Sequence, residues 1–283
     1  MHSTGLSPES RDDKPTPLRV RDAPPRMQRL PIQHPEYRYP VSRNPYWAKV
    51  RDFPGRIFSD NDTEVHPGKW REQFPVLKNP ADRTALASSD ASASAKKPIH
   101  VEIGCNGGHV ILEWATRDPQ GCYLGLDWKF KQIHRGAEKA NKRGLTNLIF
   151  LRSHAERIDY VFAPGEIDYL YLYFPDPWAK KSQLKNRYIT ANRLEGLAKL
   201  VRKGGTFHIK TDHAGYFEWM EDALAELQKR TSNDCPWKIV ARSADLHAEH
   251  PEPTKLEIPE VTLFEKIFIK REIKINSLKL ERV

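Results

Sequence analysis

Between Tyr171 and Ile189 the chain reads YLYFPDPWAKKSQLKNRYI: an aromatic, apolar run halted by Pro175, Asp176, Pro177 and Trp178, then followed by Lys180, Lys181, Lys185 and Arg187. Proline fixes its own φ and bars the residue before it from the right-handed helical region, so the Asp176 carboxylate is aimed by backbone restriction. An acid held in this way at the end of a strand can grip a polar edge of a ligand. The cations behind it can meet phosphates. The structural alternative is a rigid turn whose aspartate caps the next segment.

A second chemical stretch is VEIGCNGGHVILEW, from Val101 to Trp114, which reads as strand, glycine-rich turn and helix. Open α/β sheets bind nucleotides at such a turn. A dinucleotide fingerprint counted from Gly104 needs glycine where Asn106 and His109 stand, and no P-loop lysine follows. What remains is a turn in which Gly104, Gly107 and Gly108 bring backbone close to a ligand without phosphates, with Glu102 at the strand's end. Nineteen residues beyond Gly108, Asp127 closes the next strand, where an acid can accept from both ribose hydroxyls. An adenosine without phosphate, carrying an ammonium for Glu102 to meet, describes S-adenosylmethionine.

Both stretches need a parallel sheet to hold them. IHVEIG (Ile99 to Gly104), CYLGLD (Cys122 to Asp127), LIFLRS (Leu148 to Ser153), IDYLYLYF (Ile167 to Phe174) and GTFHIKTD (Gly205 to Asp212) read as buried strands. Helical patterns lie between them, clearest in AGYFEWMEDALAELQKR, where Tyr216, Trp219, Ala223 and Leu227 recur three and four apart. Alternation of this kind predicts an α/β fold with helices on both faces. WKIVARSADL and EKIFIKREIKI, near the end, predict an antiparallel edge pair.

The stretch before Pro98 differs in texture. Thirteen of the 22 prolines fall between Pro8 and Pro80, which excludes long helices and central strands there. Residues 1–83 therefore read as a Pro-rich, basic and aromatic arm, 84–97 as an Ala/Ser linker and 98–283 as the main domain. In the arm, Tyr37, Tyr39, Tyr46, Trp47, Phe53 and Phe58 alternate with Arg38, Arg43, Lys49, Arg51 and Arg56. Such interleaving can stack on bases and meet phosphates. The favoured reading straps the segment across the domain's apolar surface, with little packing expected before residue 35.

The 283 residues carry a net charge of +9, and six Lys or Arg stand against one Glu between Trp128 and Arg143. An acidic polymer, nucleic acid before membrane, is the partner this implies. Three scattered cysteines and no CxxC or HExxH spacing among eleven histidines point to a reducing compartment and no structural metal. No signal-peptide core and no 18-residue apolar run is found, so a soluble cytoplasmic protein is expected.

Taken in order, VEIGCNGG, LGLD, YLYFPDPWAKK, KGGTFHIKTD and VTLFEK resemble the bacterial tRNA (guanine-N7)-methyltransferase family over about Pro98 to Lys270. FPDPW followed by lysine is the most specific of these motifs. The resemblance implies a Rossmann-like class I methyltransferase with a mainly parallel, seven-stranded sheet. It also implies methyl transfer from S-adenosylmethionine to N7 of a guanine in the tRNA variable loop. Carried over by position, it implies cofactor contacts for Glu102 and Asp127 and a cofactor-facing place for the residue at 154, beside the Gly104 and Gly108 that the turn itself puts against the cofactor. Asp176 matches the catalytic aspartate, and Lys180, Lys185, Arg187, Asp212, Thr262 and Glu265 match substrate-contacting positions. A monomer or homodimer with no obligatory second subunit is expected.

This sequence departs from the family at three places. Asn106 replaces a glycine, a change that left-handed backbone tolerates. His154 replaces an aspartate near the adenine, and Asn186 interrupts the basic run. Guanine N7 has a lone pair and no proton, so alignment rather than a general base is required, with Asp176 and Asp212 holding the opposite edge. Two alternatives stand beside this: an amino-group methyltransferase, whose motif carries one more proline, and a tRNA-binding homologue without catalysis.

Overall fold

In the computed structural model, which describes residues 30–74, 97–232, 234–250 and 261–283, the buried apolar runs become a single sheet. Its strands are β1 (Ile57–Ser59), β2 (Ile99–Ile103), β3 (Cys122–Asp127), β4 (Leu148–Arg152), β5 (Ile167–Tyr173), β6 (Val201–Thr211), β7 (Trp237–Ser243) and β8 (Asn276–Arg282), in the order β1-β4-β3-β2-β5-β6-β8-β7. Strands β1 to β6 pair in parallel, and β8 enters antiparallel between β6 and β7. This is the doubly wound architecture that the motifs imply, with eight strands rather than seven.

The additional strand comes from the arm. Ile57–Ser59 lies in a proline-free interval between Pro54 and Pro67 and pairs with β4, so the prolines are kept out of the ladder. Around it Val50, Ile57, Trp70 and Phe74 are buried, while Tyr46, Trp47, Phe53 and Phe58 pack against the two apolar clusters. Packing also starts earlier than residue 35. Arg157, with no exposed surface, donates from Nη1 to the carbonyls of Ile32 (2.6 Å) and His34 (2.9 Å). Apart from Lys97, the linker at 84–97 lies outside the described residues.

Helices cover both faces because their apolar residues fall on one side. In α1 (Ile111–Arg117) and α2 (Phe130–Lys142) the buried side chains Ile111, Trp114, Phe130, Ile133, Ala137 and Ala140 join one cluster. In α3 (Ala191–Leu200) and α4 (Ala214–Arg230), Leu194, Leu197, Tyr216, Met220 and Leu227 join the other. The sheet alternates to match: Leu124 and Leu126 point into the second cluster and Tyr123 into the first.

The C-terminal edge is antiparallel, although one of its strands is not where the apolar pattern puts it. Leu263–Lys270, LFEKIFIK, is helix α5, and β8 begins only at Asn276. Thr262 and Glu265 form a complete capping box, each side chain bonded to the other's backbone N–H, and this nucleates a helix in spite of the β-branched residues. Among the described residues no helix is long and apolar enough to cross a membrane.

Candidate active site

From β2 the chain winds outward through β3 to β4, then returns to β5 on β2's other side. The connections therefore part above the C-terminal ends of β2 and β5, where such sheets hold ligands. A cleft of about 1030 Å³ opens there. It brings together Glu102, Gly104, Asp127, His154, Asp176, Lys185, Arg187 and Thr262 among the expected residues. Gly108, Lys180, Asp212 and Glu265 lie outside its lining.

Glu102, only 5% exposed, forms the floor. Its carboxyl accepts from the backbone of Ile111, while Oε2 is buried with no hydrogen-bond partner among the described residues. Burial, helped by the nearby negative charge of Asp127, pushes its pKa up to about 8. A carboxyl in this condition is completed by a cation that reaches it. Asp127 accepts from Asn106 N–H at Oδ2 (3.0 Å) and from Lys129 N–H at Oδ1 (2.8 Å), which fixes its orientation and leaves each oxygen a further lone pair.

The turn between these acids has left-handed backbone at Gly104 (φ 76°) and at Asn106 (φ 51°), a conformation asparagine adopts more readily than most residues. Among the described residues no atom lies within 4 Å of where a Cβ on Gly104 would stand. Gly108 is left-handed as well (φ 72°) and has a second reason to be glycine. A Cβ there would meet the Phe150 ring at 3.0 Å, so its role is to let the turn close on β4. An unpartnered buried acid, a second acid with free lone pairs and an open glycine between them fit a phosphate-free ligand that bears an ammonium and a ribose.

His154 follows β4 at the other end of the cleft. Its ring lies parallel to Tyr39 (centroids 5.8 Å apart, planes 1° apart) and nearly parallel to Trp128 (5.7 Å, 14°). Burial lowers its pKa, so the imidazole is neutral at neutral pH.

At the rim, Asp176 is exposed, and among the described residues no hydrogen bond or ion pair engages its carboxylate. Bulky residues in left-handed backbone stand on both sides of the Pro-Asp-Pro unit, Phe174 at φ 52° and Trp178 at φ 43°. Two bonds hold this uncommon geometry: Phe174 N–H donates to Lys210 O (2.8 Å), and Arg187 Nε donates to Pro177 O (2.9 Å). Arg187 also donates to Gly215 O (3.1 Å) and lies over Tyr216 and Trp219. Buried and engaged in this way, it braces the loop instead of standing free for phosphate. Lys180, Lys181 and Lys185 are the exposed cations of the loop.

Glu265 is likewise turned inward. It has no exposed surface, pairs with buried Lys210 (Oε1 to Nζ, 2.9 Å), accepts from or faces His247 Nε2 at 3.2 Å and closes the capping box with Thr262. Its work is to pin α5, whose Leu263 and Phe264 line the cleft. Thr262 also lines it, with its hydroxyl oxygen committed to Glu265 N–H (2.9 Å). The motif reading missed Tyr39, Trp128, Arg152, Ser153 and Arg157. Two arginines flanking His154 in LRSHAER, at the C-terminal end of an apolar strand, are the signal that marks them.

A family described as "Putative methyltransferase" matches residues 96–258. A tRNA (guanine-N(7)-)-methyltransferase of Bdellovibrio bacteriovorus is 33% identical over 210 residues, which cover 74% of this chain and 95% of that protein. One of Macrococcus caseolyticus is 31% identical over 212 residues, again 74% of this chain and 95% of the relative. A bifunctional glycosyltransferase/methyltransferase of Fusobacterium nucleatum is 31% identical over 242 residues, 85% of this chain and 33% of the relative.

Proposed function

Because the chain belongs to the tRNA (guanine-N7)-methyltransferase family, we propose that it transfers a methyl group from S-adenosylmethionine to N7 of a guanine in tRNA, within the variable loop. When bound, S-adenosylmethionine supplies an electrophilic methyl on sulfur. Everything else is positioning by this chain's residues. Glu102 receives the ammonium, Asp127 the ribose hydroxyls, and the Gly104 to Asn106 turn accommodates the linker between them.

The observation that carries the reading is the pairing of Glu102's unpartnered buried oxygen at the floor with Asp176, rigidly aimed and uncommitted, at the rim of the same cleft. A guanine entering past Asp176 presents N1–H and N2–H donors to a carboxylate that has no competing bond. N7, which carries no proton, then needs only to be aligned with the methyl. As positive charge grows on the purine, the fixed carboxylate stabilises it. Trp178 and Phe174 offer faces for stacking, and Lys180 and Lys185 hold backbone phosphates without reading sequence.

The test is incubation with S-adenosylmethionine and bulk tRNA, followed by mass spectrometry of the nucleosides. 7-Methylguanosine is expected. A methyl found instead on an exocyclic amine would replace this reading with an amino-group methyltransferase, and cofactor binding without any modified nucleoside would leave a tRNA-binding homologue.

A further inference from the structure

We propose that Tyr39, from the N-terminal arm, is a positioning residue of the adenosine subsite: it sets the His154 backbone and ring against which the cofactor's purine packs. This rests on the S-adenosylmethionine reading above and adds to it a part of the chain that the family motifs do not reach.

The geometry is specific. His154 stands just beyond β4, where its N–H has passed the end of the sheet ladder. That N–H donates to the Tyr39 hydroxyl oxygen at 2.9 Å. The hydroxyl's own hydrogen is then available to Ser153 Oγ, also 2.9 Å away. One phenol thus fixes two consecutive residues of the cleft wall, and its ring lies parallel to the His154 imidazole. Trp128 also lies nearly parallel to the imidazole, so the ring is held by aromatic neighbours and needs no charge of its own.

Tyr39 is held in turn. Its N–H donates to Asn61 Oδ1 (3.1 Å). Arg152 lies over its ring at 5.1 Å and pairs with Asp60 of the arm. Arg157 pairs with Glu64, four residues further on, through Nη2 and Oε2 (2.7 Å), and grips the carbonyls of Ile32 and His34. Gln33, anchored through its carbonyl by Tyr160, reaches the cleft lining. The two arginines on either side of His154 therefore dock the arm at the place where the purine must lie. A segment that only strapped the domain's apolar surface would not need polar contacts to the cleft wall.

The experiment compares wild type with Tyr39→Phe, which keeps the ring and removes the hydroxyl, by calorimetric titration with S-adenosylhomocysteine and with 5′-methylthioadenosine. The second probe retains the adenosine and lacks the amino-acid end. Both dissociation constants are expected to rise by roughly ten-fold, the scale of one to two net hydrogen bonds. KM for S-adenosylmethionine should rise with them while kcat and KM for tRNA stay within about two-fold, a split that general loosening of the fold does not produce. Gln33→Ala, at the surface end of the same wall, should weaken 5′-methylthioadenosine without lowering the melting temperature. The proposal is overturned if Tyr39→Phe leaves both affinities unchanged, if only S-adenosylhomocysteine weakens, or if kcat and both KM values deteriorate together. A wild-type chain that binds neither probe overturns the cofactor reading and this proposal with it.

Discussion

With Glu102 as the proposed site of the ammonium, cofactor binding should be a proton-releasing event. Its pKa stands at about 8 in the folded chain against an ordinary 4.5. Between those values the folded chain holds a proton that the unfolded chain has lost, so stability without ligand falls as pH rises through the window and levels off above about pH 8. A ligand ammonium requires the ionised form. With a pKa of about 8, about 1% of Glu102 is ionised at pH 6 and about a quarter at pH 7.5. Apparent affinity scales with that fraction, so S-adenosylhomocysteine should bind about 20-fold more tightly at pH 7.5 than at pH 6. Close to one proton should leave per ligand at pH 6.5, read as a dependence of the titration enthalpy on the buffer's ionisation enthalpy. 5′-Methylthioadenosine, with no ammonium, should show neither effect, and Glu102→Gln should abolish both. Affinity for S-adenosylhomocysteine that is flat across this range, or binding with no proton release, would refute the assignment of Glu102 to the ammonium.

Asp176→Asn keeps the shape of the rim and removes its charge, so turnover should fall by about two to three orders of magnitude with S-adenosylhomocysteine affinity unchanged in titration. Since N7 has no proton to lose, raising pH should not restore the rate. Replacing Lys180 and Lys185 together by Ala should flatten the salt dependence of tRNA binding by about 1.4 in log–log slope, at about 0.7 per single-strand contact, whereas Arg187→Ala should show chiefly as a lower melting temperature. Glu265→Ala strands the buried Lys210 ammonium and should cost about 3 kcal/mol in urea unfolding, a loss that a purely substrate-contacting glutamate would not give. Removing residues 1–36 deprives Arg157 Nη1 of both its carbonyl acceptors and should lower the melting temperature more than removing 1–29.

How much of this was legible in the chain depended on range. That Asp176, Glu102 and Asp127 would meet in one cleft could be read because short-range rules place them: proline restriction, a glycine turn, and a fixed interval to the next strand end. Asn106 behaved as local backbone preference requires. Arg187 and Glu265 were visible as charges, but their roles depended on partners 28 and 55 residues away, Gly215 and Lys210, and neither pairing leaves a trace in local composition. The α5 helix was hidden by its β-branched residues, although the Thr262 to Glu265 spacing was itself a capping signature. Tyr39 was the least accessible. It acts on Ser153, 114 residues further along, through a phenol that among the arm's other aromatics had no distinguishing neighbour.

The short strand β1 also changes what loss of the arm would mean. Every residue of β4, Leu148 to Arg152, is buried, and β1 covers the side that does not face β3. Without it, LIFLR would become the open edge of the sheet: five residues rich in β-forming, apolar side chains, with unpaired N–H and C=O groups facing outward. Edges of that composition recruit other strands. Shortening the chain past Ser59 should therefore raise the concentration dependence of its light scattering well before catalytic competence could be measured. The arm would in this respect guard against self-association, through Ile57–Ser59 and not through Tyr39, which contacts the cleft wall.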